Sequence, residues 1–180
     1  MAGKDNKMRK IRIEKVTLNI GCGGDHDKIE KAKKLLFLLT NQQPVVTKSV
    51  KRSTFGVGRG KPVGVKVTLR KKRAEDFFKR VMESRQNTVK SSEINDRHIN
   101  IGIKEYIELP GIKYQYDIGM MGLNVTISLE RPGYRVERRK VKKTKIGKTH
   151  KINREDVVEW LKERGVKVVW TRDIGIDGKA

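Results

Sequence analysis

Three short stretches hold residues whose types and spacing could do chemistry. The run STFGVGRGKPVGVKVTLR, residues 53–70, sets Gly56, Gly58 and Gly60 ahead of Lys61, the composition of a loop that cradles phosphate. A Walker-type loop also needs a glycine five residues before its Gly-Lys pair and a hydroxyl after it to hold Mg²⁺. Phe55 and Pro62 stand at those two positions, so nucleotide chemistry fails on both counts. The run GCGGDH, residues 21–26, supplies Gly21 and Gly23 of a dinucleotide fingerprint but puts His26 where the third glycine belongs. Asp25, His26 and Asp27 could be imagined as an acid/base or metal set. Capping of the lysine-rich helix that follows explains the two acids more simply.

Metal and redox chemistry find little support. Cys22 is the only cysteine, which excludes an intrachain disulfide and a cysteine-based zinc site within one chain. His26, His98 and His150 are far apart and show no ligand spacing. No metal or other cofactor is expected.

Charge points elsewhere. The 180 residues carry 43 Lys+Arg against 21 Asp+Glu, a net charge of +22. The cations are segregated: Lys48, Lys51, Arg52, Arg59, Lys61, Lys66, Arg70, Lys71, Lys72 and Arg73 follow one another without an intervening acid. A merely solvating surface mixes signs. An unmixed one repels itself unless a polyanion neutralises it, which makes nucleic acid the leading partner. An anionic membrane would offer the same charge. No long apolar run and no signal-peptide pattern is present, so the chain is expected to be soluble and inside the cell.

The elements that must position these residues follow from periodicity. IRIEKVTLNIG alternates apolar and polar residues, with one phase slip around Glu14–Lys15 that is either a bulge or the strand start, and predicts a strand whose polar face carries Thr17 and Asn19. Ile29, Ala32, Leu35, Leu36 and Leu39 recur at helical spacing, with Asp25 or Asp27 as N-cap and a stop from Asn41 to Pro44. PVVTKSV and VGVKVTLR predict strands, the second showing Lys66, Thr68 and Arg70 on its polar face. RAEDFFKRVMES predicts a helix through Ala74, Phe77, Phe78 and Val81. A polar stretch, residues 85–97, then leads to the strands INIGI and LNVTISLE, joined by an irregular segment around LPGIKYQYDIG. Half-buried strands alternating with two helices predict an α+β fold, a mainly antiparallel sheet with helices packed on one face. The uncovered polar face is a place for RNA to lie.

Past Glu130 the character changes. Arg131, Arg135, Arg138, Arg139, Lys140, Lys142, Lys143, Lys145, Lys148 and Lys151 are opposed by Glu137 alone, so this block is expected to be extended or mobile until a polyanion orders it. Asn153 then caps a helix, with Asp156 three residues on, a stripe of Val157, Trp160 and Leu161, and Gly165 at its end. VKVVW reads as a short strand and TRDIGIDGKA as a loose tail. The expected division is an RNA-binding α+β domain over residues 1–130 and a basic C-terminal extension with a helix over residues 131–180.

The segments KVTLNIG, LTNQQPVVTKSVKRSTFGVGRGKPVGVKVTLR, NIGIKEYIELPGIKY and MGLNVTISLERPGYRVERRK occur in order between about residues 8 and 140. Together they resemble the universal large-subunit ribosomal protein five (L-five) family, and RPGYRVERRK with REDVVEWLKE resembles its archaeal form. The resemblance implies a non-enzymatic, cytoplasmic component of the large ribosomal subunit. It would bind 5S rRNA and help attach it to large-subunit rRNA in the central protuberance. On the family's pattern the 5S rRNA contacts fall on Asn19, Gln42 and Thr68, and the same polar face adds Lys66 and Arg70. TNQQP departs from the usual Gly and Lys of that turn. The glycine-rich loop would approach peptidyl-site tRNA or rRNA through Lys51, Arg52, Arg59 and Lys61. Arg135, Arg138, Arg139, Lys140, Lys142 and Lys143 would bind rRNA from the extension. The resemblance also implies a bridge to a protein of the small-subunit head. The corresponding loop, DRHIN, is one residue shorter than the family's, and no bridge contact is assigned to a residue.

Two other readings compete: a phosphate-binding enzyme, against which the defective Walker pattern speaks, and a free-standing RNA chaperone. Cofractionation with large subunits at high salt separates a structural component from a chaperone.

Overall fold

The computed structural model describes residues 6–52 and 56–170. The start of the glycine-rich loop (residues 53–55) and the expected loose tail (residues 171–180) lie outside the described residues. Among the described residues the strands and α-helices follow in the order β1 (Arg12–Gly21), α1 (His26–Thr40), β2 (Val45–Lys48), β3 (Pro62–Leu69), α2 (Lys72–Ser84), β4 (Thr88–Lys90), β5 (His98–Ile103), β6 (Leu123–Glu130), α3 (Arg135–Arg138), α4 (Arg154–Lys162) and β7 (Lys167–Val169). Five strands form one sheet in the order β2-β3-β1-β6-β5, with every neighbouring pair antiparallel. This is the expected α+β architecture.

The alternation in β1 buries Val16, Leu18 and Ile20 against the helices. The phase slip is a bulge: the register of β1 on β6 shifts between Ile13 and Lys15. An extra residue there turns Glu14 out of the regular alternation. Helix α1 buries the anticipated stripe of Ile29, Ala32, Leu35, Leu36 and Leu39. Asp25 caps it by accepting a hydrogen bond from the Asp27 amide, and Asn41, in the left-handed region at φ 49°, ends it by donating to the Phe37 carbonyl. Helix α2 buries Ala74, Phe77, Phe78, Val81 and Met82.

The C-terminal helix shares this core. Val157, Trp160 and Leu161 are buried with the sheet residues, the Trp160 ring lies 5.6 Å from Phe78, and its indole N–H donates to the Ile11 carbonyl. Full burial of such side chains stabilises by roughly 1.5–3 kcal/mol each. Strand β7, anticipated from VKVVW, pairs in parallel with β4. The polar stretch before β5 gave no hint of β4. It is three residues long, enters through Gln86 and Asn87 at positive φ, and takes its partner from the far end of the chain, so no local pattern announces it.

Candidate nucleic-acid interface

The face of the sheet away from the helices is built in rows, because residues directly opposite one another in antiparallel strands share a face. One row runs Val45, Lys66, Asn19, Asn124, Gly102 across all five strands. The next runs Thr68, Thr17, Thr126, Asn100. A third runs Lys15, Ser128, His98, and there the face closes, with Ser128 buried. Asn19, Lys66 and Asn124 are exposed, and the threonines of the second row are half-buried between their neighbours. The structure thus brings Asn19, Lys66 and Thr68 together on two adjacent strands, with Asn19 opposite Lys66 and Thr68 opposite Thr17. Arg70 is exposed one residue past the end of β3, and Gln42 is half-buried in the turn between α1 and β2.

Packing explains one fixed point of this face. Gly64 lies where a Cβ would stand 2.5 Å from the Ile20 carbonyl oxygen and 3.2 Å from the Thr47 hydroxyl. A side chain there would prise β3 from β1, so the row geometry depends on this glycine.

The glycine-rich loop is the tip of the β2–β3 hairpin. Its stem continues past β2, with the Ser49 amide donating to the Lys61 carbonyl and the Gly60 amide to the Ser49 carbonyl. Gly60 sits at φ 81°, a conformation that glycine adopts without strain. Lys51, Arg52, Arg59 and Lys61 are exposed and have no ion-pair partner among the described residues. Gly60 and Lys61 lead directly into a strand at Pro62, whereas a nucleotide-binding loop leads into a helix.

The basic block is a lobe pinned at its base. Arg131, only 8% exposed, donates to the carbonyls of His150 and Lys151 and pairs with Asp156 at 3.0 Å. The Tyr134 hydroxyl donates to the His150 carbonyl and accepts from the Ile152 amide. His150 Nε2 lies 2.9 Å from the Pro132 carbonyl, which can only accept, so that nitrogen carries the proton. Burial pushes the Tyr134 hydroxyl pKa up, which keeps it a neutral donor. These contacts hold residues 131–134 against 150–156. The segment was expected to be extended or mobile until a polyanion orders it; its two ends carry their own internal partners.

The six sites expected on this block divide accordingly. Arg138 pairs with both Glu14 and Glu130, and Arg139 donates to the Lys142 carbonyl. Arg135, Lys140, Lys142 and Lys143 are exposed and have no ion-pair partner among the described residues. Residues 131 and 134, which form the clasp, were not singled out from sequence, because their work is recognisable only once residues 148–156 return beside them. Asn100, Asn124 and Thr126 were likewise missed. Strand alternation marks them as outward-facing, yet only the β6 pairings place them beside Thr17 and Asn19.

Cys22 is buried, and burial raises its thiol pKa, as for an inert core cysteine. Among the described residues no group of three or more His, Cys, Asp or Glu side chains is placed to hold a metal ion. No helix among them is long and apolar enough to cross a membrane.

Comparison with known proteins shows the family. The family model for the C-terminus of the ribosomal L5 family matches residues 62–160, and the model described as Ribosomal protein L5 matches residues 6–57. The chain is 45% identical over 168 residues to the large ribosomal subunit protein uL5 of Nanoarchaeum equitans, spanning 92% of this chain and 99% of that one. It is 39% identical over 168 residues to the large ribosomal subunit protein uL5 of Archaeoglobus fulgidus, spanning 93% and 94%. The protein of the same name from Sulfurisphaera tokodaii is 44% identical over 162 residues, spanning 88% and 91%.

Proposed function

The chain belongs to the ribosomal protein L5 family, and from that premise we propose that it is a structural, non-enzymatic component of the large ribosomal subunit in the cytoplasm. In this reading it binds 5S rRNA through the open sheet face and helps attach it to large-subunit rRNA in the central protuberance. The observation that carries the reading is the placing of Asn19, Lys66 and Thr68 side by side on an uncovered face, between a cationic hairpin tip and a cationic lobe. Gln42 and Arg70 stand at the margins of that face and extend the contact. Labour divides near residue 130: the sheet domain holds 5S rRNA, and the segment after it, with Arg135, Lys140, Lys142 and Lys143, grips rRNA phosphates. Arg138 and Arg139 hold the lobe in place beside them. The hairpin tip, through Lys51, Arg52, Arg59 and Lys61, contacts peptidyl-site tRNA, and a bridge to a small-subunit head protein completes the set of partners.

Phosphate contacts position a protein, and short polar side chains read the surface between phosphates. The proposal is tested by titrating 5S rRNA with wild-type protein and with the Asn19→Ala, Thr68→Ala double variant. Each lost hydrogen bond should weaken binding by about 0.5–1.5 kcal/mol. Unchanged affinity of a folded double variant would remove the sheet face from the 5S rRNA site. Failure of the wild type to cofractionate with large subunits at high salt would remove the structural role.

A further inference from the structure

The open face offers more hydrogen-bonding groups than the proposed 5S rRNA contacts use. Thr17 lies between Thr68 and Thr126 in one row, and Asn124 lies beside Asn19 in the other, with Asn100 beside Thr126 on β5. Neighbours in a row are about 4.8 Å apart, and successive rows about 7 Å apart. None of the side chains of Thr17, Asn19, Thr68, Asn100, Asn124 or Thr126 makes a hydrogen bond among the described residues. The patch carries no charge. The cations stand beside it: Lys66 next to Asn19 in the first row, Lys15 in the third row, and Arg70 past the end of β3.

That chemistry selects its ligand. Phosphate oxygens only accept hydrogen bonds, so a phosphate surface leaves the carboxamide oxygens of Asn19, Asn100 and Asn124 without donors. A ribose 2′-hydroxyl both donates and accepts, as a threonine hydroxyl does, and an RNA helix displays its 2′-hydroxyls in a wide, shallow minor groove. A sheet face can approach such a groove, and the exposed Gly102 at the end of the first row and Gly21 two residues past Asn19 on β1 add no side chain above it. The threonines are β-branched and stiff at χ1, so their hydroxyls are held in place before the ligand arrives.

We propose that Thr17, Asn100, Asn124 and Thr126 extend the site across β6 and β5 into an uncharged lattice that reads ribose 2′-hydroxyls in the minor groove of a 5S rRNA helix. The lattice makes this face the part of the protein that tells RNA from DNA. The inference rests on the reading that the open face binds 5S rRNA. It also separates two kinds of affinity: the lattice contributes a salt-insensitive share, and the cations beside it, Lys66, Lys15 and Arg70, contribute the salt-sensitive share.

The test titrates 5S rRNA, and 5S rRNA carrying 2′-deoxy substitutions, with wild-type protein and with the Thr17→Val, Asn100→Ala, Thr126→Val variant, whose fold is checked by circular dichroism and thermal unfolding. The expected result is a loss of affinity of about two- to tenfold per hydrogen bond removed, an unchanged slope of log affinity against log salt, and a smaller penalty for 2′-deoxy RNA. Thr126→Ser, which keeps the hydroxyl, should bind as the wild type does. A folded variant with wild-type affinity and the wild-type 2′-deoxy penalty overturns the lattice, and so does a reduced salt slope, which would mean phosphate contacts. Wild-type RNA binding by the variant, combined with poor incorporation into large subunits, overturns it in favour of a protein partner on this face. If the wild type itself does not bind 5S rRNA, the underlying reading has failed, whereas sensitivity to Asn19 and Thr68 alone overturns the lattice and confines the site to β1 and β3.

Discussion

Arg138 reaches back to Glu14, the carboxylate that the β1 bulge turns out of register, and with its other nitrogen holds Glu130 at 2.5 Å. Arg12 pairs with the same Glu130 at 2.8 Å. The Glu14 and Glu130 side chains are 6% and 10% exposed and Arg138 is 42% exposed, so one partly solvated guanidinium joins two largely desolvated carboxylates, Glu130 sharing Arg12 and Glu14 having Lys15 at 3.8 Å besides. A residue that reads in sequence as one more cation of a basic run is therefore a tether between that run and the sheet.

Removing the tether leaves Glu130 with Arg12 alone and Glu14 with the longer contact to Lys15. Breaking a buried pair costs about 3–5 kcal/mol, and the exposure of Arg138 lowers that expectation to about 1–3 kcal/mol for Arg138→Ala. Urea denaturation of the variant beside wild type measures it. A loss below a few tenths of a kcal/mol would mean that water already satisfies the two carboxylates.

The neighbouring lysines should behave in the opposite way. Lys140, Lys142 and Lys143 are exposed and have no ion-pair partner among the described residues, so changing all three to Ala should leave unfolding nearly unaltered. Affinity for rRNA should fall, and the slope of log affinity against log salt should drop by about 0.7–0.9 for each phosphate contact removed. An unchanged slope would take these three lysines out of the RNA interface.

The contrast between Arg138 and its neighbours shows what the sequence could and could not disclose. The α1 stripe, the phase slip in β1 and the outward set Asn19, Lys66 and Thr68 were legible because each rests on a local period, which side-chain burial enforces at once, although only the pairing with β6 makes the slip a bulge. Arg138 was not distinguishable from Lys140, since its partner Glu14 lies 124 residues away and shows only as a slip in an alternating pattern. The same distance hid β4, whose register comes from β7, and the far half of the open face, which exists only through the pairing of β6 with β1. Composition made the basic block look self-repelling. The clasp of Arg131 and Tyr134 on residues 150–152 opposes that repulsion with hydrogen bonds to backbone carbonyls, which no count of charges can register.

His98 gives the fold a dependence on pH. Its Nδ1 lies 3.1 Å from the Ser128 hydroxyl at the closed end of the open face. Burial, and then the cation of Arg97, lower its pKa below the ordinary 6.5, with Glu14 opposing and Lys15 reinforcing the shift. The folded state thus prefers the neutral ring. Its contribution is fully present above about pH 6.5 and is lost as pH falls from there through the lowered folded value. Stability measured between about pH 8 and about pH 5 should decline more steeply for wild type than for His98→Gln. Parallel declines would show that His98 titrates alike in the folded and unfolded chain.

The hairpin tip permits the sharpest separation of roles. Arg59 and Lys61 are exposed on a stem fastened by backbone hydrogen bonds through Ser49 and Gly60, and neither side chain has an ion-pair partner among the described residues. Reversing both charges, Arg59→Glu with Lys61→Glu, should therefore leave the unfolding midpoint close to wild type. The rows bearing Asn19, Thr68 and Thr126 lie along the body of the sheet and contain neither residue, so 5S rRNA affinity at moderate salt should also change little. What should fall is retention of peptidyl-site tRNA by reconstituted ribosomes, because two attractions at a phosphate backbone become two repulsions. Filter binding at two salt concentrations measures this, and the deficit should shrink at the higher one as screening weakens the repulsion. Unaffected tRNA retention together with failed subunit assembly would assign the tip to ribosomal RNA and end its role at the tRNA.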